Sequence, residues 1–103
     1  MENVIRERCQ ELINKGFFKL GLPSYMKSAV ENYVFHGIEA GSFLNAVLEN
    51  SFLGAIQNAD INNREKVVEW AEFVVWYLPA SCHGSHKKVT EWMKTKRGAS
   101  NKF

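Results

Sequence analysis

The segment from residue 63 to residue 78 constrains this chain more than any other. Val67, Val68, Ala71, Val74, Val75 and Leu78 recur at helical spacing as one apolar stripe, and Trp70, Phe73 and Tyr77 form a second stripe beside it. A helix that is apolar on two faces belongs at the centre of a bundle or against a partner subunit. Pro79 closes it, because a proline pushes the residue before it out of the helical region. The remaining segments must therefore cover this helix.

Their pattern is helical as well. Val4, Ile5, Cys9, Leu12 and Ile13 lie on one face of a first helix, with Gly16 read as its stop and Phe17, Phe18 and Leu20 as an apolar connector ending at Gly21. A second helix is expected to start at Pro23-Ser24, with Ser24 as cap, and to end at His36-Gly37. A third starts at Gly41-Ser42 with Ser42 as N-cap. It carries Phe43, Leu44, Val47 and Leu48, then breaks or bends at Asn50-Ser51 before a short helix that ends near Ala59-Asp60. Asp60, Asn62 and Asn63 form a capping cluster for the central helix. Ser85 caps a last amphipathic helix with Val89, Trp92 and Met93. No segment alternates with a period of two, so the expected fold is all-α, a compact single-domain bundle of five or six short helices.

Composition narrows the function classes. With 103 residues, 46% of them hydrophobic and 23% charged, the chain suits one globular domain. No apolar run reaches the roughly 18 residues of a membrane span, and the charged first fifteen residues carry no secretory signal. Cys9 and Cys82 are too few for a disulfide framework; one bridge is conceivable, but without an export signal the expectation is two reduced thiols in the cytoplasm. The net charge of +2 belongs to the end of the chain: without residues 94–103, 9 basic and 11 acidic residues leave a charge of −2. The expected division is a helical domain at 1–93 and a basic, flexible tail at 94–103. Aromatic residues make up 13% of the chain, more than a small domain can easily bury, which points to a homo-oligomer.

Motifs for catalysis are missing. The chain has no P-loop, dinucleotide fingerprint or nucleophile elbow, so no enzyme activity, catalytic residue or cofactor is expected. Cys82, His83 and His86 form a single cluster without the second ligand pair a zinc site needs, so no metal is expected. Two Gly-Ser pairs precede expected helices, Gly41-Ser42 and Gly84-Ser85. Free amides and a hydroxyl at a helix start can cradle a phosphate or carboxylate. Asn50, Asp60, Asn63 and Arg64 are the polar neighbours read into that ligand site, with a Trp or Tyr as its stacking surface. Ordinary N-capping by Ser42 and Ser85 accounts for the same pairs.

One stretch adds a family resemblance. Gly37-Ile38-Glu39-Ala40-Gly41-Ser42-Phe43-Leu44, Ala46-Val47-Leu48-Glu49-Asn50 and Ala59-Asp60 with Asn63-Arg64 resemble small uncharacterised proteins of tailed bacteriophages and prophages. Pro79, the turn from Cys82 to Ser85 and Trp92 fit the same pattern over roughly residues 22–93, while Glu39-Ala40 stands where prolines are expected and His83 where Trp is. The resemblance implies a non-enzymatic phage accessory protein that binds something made by the host. The leading expectation is an oligomer that sequesters a small anionic, nucleotide-like host ligand as counter-defence. One alternative is a protein-interaction module that inhibits a host defence complex. The other is a DNA-associated regulator, which the lack of a basic recognition face counts against. Neither nucleic acid nor membrane is the expected partner.

Overall fold

The computed structural model describes the backbone of residues 2–101 and the side chains of residues 5–97, and among these residues the chain forms seven α-helices and no strand. The helices are α1 (Glu2–Leu20), α2 (Lys27–His36), α3 (Ser42–Leu48), α4 (Phe52–Asn58), α5 (Ile61–Arg64), α6 (Val67–Tyr77) and α7 (His86–Asn101). The architecture is an all-α single-domain bundle, as expected. Helix α6 packs on α1, α2 packs on α7, and α3 and α4 form a tight pair beside them.

Helix α1 does not stop at Gly16. It runs through the expected connector to Leu20, and Gly16 is instead where α1 crosses α6. A Cβ there would lie 2.6 Å from Phe73 Cδ1 and 2.9 Å from Tyr77 Cγ, so only glycine lets the two helices approach. The stop is Gly21 at φ +62°, with the Leu22 N–H donating to the Phe17 carbonyl at 3.1 Å and both side chains buried. Gly37 closes α2 in the left-handed conformation, as expected.

Other boundaries also move. Ser24 caps nothing: Ser24–Met26 is a 3-10 turn and α2 starts at Lys27. Gly41, at φ +87°, is the N-cap of α3, and Ser42 is its first helical residue. At Asn50-Ser51 the chain breaks. Asn50 takes φ +66°, its N–H donates to the Val47 carbonyl at 3.1 Å, and Ser51 N–H donates to the Ala46 carbonyl at 2.8 Å. The expected helix over 63–78 is divided at Glu65-Lys66 into α5 and α6, because Asp60 caps the short α5 and the chain turns again at Lys66 (φ −112°, ψ 19°). Residues 94–101 of the expected tail continue the backbone of α7, with Lys96 Nζ held 4.5 Å above the Trp92 ring; Lys102 and Phe103 lie outside the described residues.

The core centres on Trp70, which is fully buried. Its ring meets Phe17, Phe43 and Phe73 edge-on at centroid distances of 5.7, 5.8 and 5.8 Å. Ile13, Val30, Tyr33, Val34, Leu44, Leu48, Cys82 and Val89 complete it. Of the two stripes, the aromatic one together with Val74 and Leu78 faces inward, while Val68, Ala71 and Val75 of the aliphatic one are exposed. The flat rings win because Gly16 makes room for Phe73 and Tyr77, and Asn63 satisfies the indole N–H of Trp70.

Candidate functional site

Asp60 begins the most connected polar cluster. Its β-region backbone (φ −71°, ψ 173°) lets Oδ1 accept the Asn63 N–H at 2.8 Å, the ordinary N-cap bond. Its Oδ2 accepts the Tyr25 hydroxyl at 2.6 Å. Donation from Tyr25, then from the Asn63 amide, holds the Asp60 carboxyl below its usual range, and the same bond raises the Tyr25 phenol. Asn63 is 3% exposed, and its Oδ1 accepts the Trp70 indole N–H at 2.9 Å. Asp60 and Asn63 thus already hold structural partners.

Their neighbours do not. Arg64 is exposed, and its side chain makes no hydrogen bond or ion pair among the described residues. The same holds for the Ser42 hydroxyl. Trp70 ties the two places together: Phe43, which follows Gly41-Ser42, packs on one part of its ring while Asn63, which precedes Arg64, binds its N–H. Nothing lies within 4 Å of where a Gly41 Cβ would be, so this turn is open to solvent. Of the eight residues read from the sequence, Asp60 and Asn63 share one hydrogen-bonded cluster with Arg64 next in the chain and the exposed ring of Tyr25 beside Asp60, while Gly41 and Ser42 connect to it only through Phe43 on the Trp70 ring.

The other three gather at the opposite end of α3. Gly84 N–H donates to the Leu48 carbonyl at 2.8 Å, and Asn50 ends the same helix. Seven helical residues span roughly 10 Å, which separates Gly41-Ser42 at the start of α3 from the Leu48 carbonyl that Gly84 meets. Ser85 Oγ accepts the Lys88 N–H at 3.1 Å and is the N-cap of α7, as expected. Asn50 supplies a left-handed turn. Beside them His86 Nδ1 meets Glu49 Oε2 at 2.7 Å, and Asn45 Nδ2 donates to the same oxygen at 3.3 Å.

The Cys82-His83-His86 cluster diverges. Cys82 is fully buried, burial pushes its thiol up to about 12, and its carbonyl accepts the Tyr33 hydroxyl at 2.5 Å. Such a thiol is a poor nucleophile, since the thiolate is the reactive form. His83 is half-buried with its imidazole pKa lowered, first by burial and then by Lys88, whereas His86 points outward to Glu49. No group of three His, Cys, Asp or Glu side chains is placed to hold a metal among the described residues.

The sequence reading missed the role of Tyr25, although Tyr25 and Asp60 are 35 positions apart and no local pattern connects them. It also missed the Asn63–Trp70 bond, which forms only because the chain turns between α5 and α6. No helix among the described residues is long and apolar enough to cross a membrane. Comparison with protein families, curated proteins and solved structures finds no match to this chain.

Proposed function

We propose that this is a non-enzymatic phage accessory protein, working as an oligomer, that sequesters a small anionic, nucleotide-like host ligand. The reading is supported by one observation: Arg64, which follows the Asp60–Asn63 cluster that holds the exposed Tyr25, and the Ser42 hydroxyl are exposed and have no internal partner. An arginine offers a planar fork of donors for a phosphate. The Tyr25 ring is the stacking surface for a base, and the bond to Asp60 fixes its direction. Gly41 and Ser42 contribute open backbone and a hydroxyl. Gly84, Ser85 and Asn50 lie outside this site within one chain. A signalling nucleotide of a host defence response is the candidate ligand, and removing it from solution is the counter-defence.

Thermal shift with a panel of linear and cyclic nucleotides tests the reading. A ligand at about 100 times its Kd stabilises by about 2.7 kcal/mol, a rise of roughly 10 °C or more for a chain of this size. Arg64→Ala is expected to weaken binding about tenfold or more, because a charge-assisted hydrogen bond contributes about 1.5–3 kcal/mol. A wild type that shifts with no member of the panel removes the proposal.

A further inference from the structure

The surface between α4 and α6 has an unusual chemistry. Helix α4 is exposed over much of its length and contains no ionisable residue, with Phe52 and Leu53 projecting from it. On α6, Val68, Ala71 and Val75 share one exposed face, and Trp76 stands at its edge beyond Glu72. Phe52, Ala55, Val67 and Ala71, together with Val47, line a shallow groove that joins the two helices. Charge is depleted at the centres of interfaces and ordinarily abundant on exposed helices.

We infer that this α4–α6 face docks a second copy of the chain. Area supports that occupant. An aromatic side chain carries about 150–250 Å², so Phe52 at 65% and Trp76 at 75% exposure offer roughly 300 Å². Leu53, Val68 and Val75 bring the face to on the order of 500 Å². Two such faces meeting bury about 1,000 Å² before any polar rim is counted, the threshold for a specific interface. The face also carries both a groove and projecting side chains, which a self-complementary two-fold contact requires. The inference deepens the oligomeric part of the proposed function by naming its surface, and it does not depend on the ligand.

The test is mass by light scattering and native mass spectrometry over a dilution series, with circular dichroism as the folding control. The wild type is expected to hold more than one subunit. Val75→Glu and Leu53→Glu, each at an exposed position, are expected to keep the helical spectrum and raise the dissociation midpoint at least about tenfold. Phe18→Glu, on the outer side of α1, is expected to leave it unchanged. A wild type that stays a single subunit overturns the inference, whether or not it binds nucleotides, and so does assembly that survives both glutamates. A wild type that assembles and binds no nucleotide overturns the ligand reading and leaves this inference standing.

Discussion

Trp70 and Trp76 lie six residues apart on the same helix and meet opposite fates, one fully buried and the other 75% exposed. Their side chains are chemically identical, so the difference lies in what surrounds them. Trp70 finds an acceptor for its N–H in Asn63 and three rings that meet it edge-on. Trp76 points away from α1 and is offered neither. Burying an indole removes a large apolar area from water but strands its N–H unless an acceptor is built in. One face of α6 meets that acceptor, on α5, and became the core; the other was left as surface.

The sharpest test of this contrast is to truncate both rings. Trp70→Ala is expected to cost about 3–5 kcal/mol, whereas Trp76→Ala changes the stability of the single chain by no more than about 0.5 kcal/mol. Denaturant melts at dilute protein concentration compare them, and similar costs would break the contrast. A smaller effect isolates the acceptor. Asn63→Leu keeps an apolar volume but leaves the indole N–H unpaired, with an expected loss of about 1–3 kcal/mol. A neutral result would mean that ring packing alone holds Trp70.

The smallest expected effect is a pH dependence. His83 has its imidazole pKa lowered in the folded chain, so it is held neutral there and takes up a proton more readily when unfolded. That contribution is present above the ordinary value of 6.5 and is lost as pH falls through the lower folded value. Asp60, also lowered, adds a second loss that begins only below 3.8. His83→Gln is expected to flatten the stability profile just below pH 6.5 and leave the more acidic limb intact, read from melts across that range.

Several local features were legible in the residues. Gly37 as a left-handed stop, Asp60 as the cap of the helix after it and Ser85 as the cap of α7 all satisfy amides or carbonyls within three or four positions. Such bonds depend on short-range geometry that any sequence of this kind repeats. Gly16 shows where that logic ends. A glycine after an apolar run reads as a stop, and only the approach of Phe73 and Tyr77 from α6 reveals it as a crossing point. The candidate site divides the same way. Gly41, Ser42 and Arg64 stand out as residue types, but the contacts of their neighbours Phe43 and Asn63 with Trp70, and the position of Gly84 at the far end of α3, come from packing between helices.

The amino-acid sequence by itself determined that this chain is helical, that helices stop or start at Gly37, Asp60, Pro79 and Ser85, and that its apolar surface exceeds what one stripe per helix would need. Periodicity and capping are properties of neighbouring residues, so they can be read along the chain. Only the tertiary structure decided which stripe of α6 went inside. That choice turned on a missing Cβ at Gly16 and an amide oxygen on Asn63, two groups from other helices whose positions relative to α6 exist only once the chain has folded.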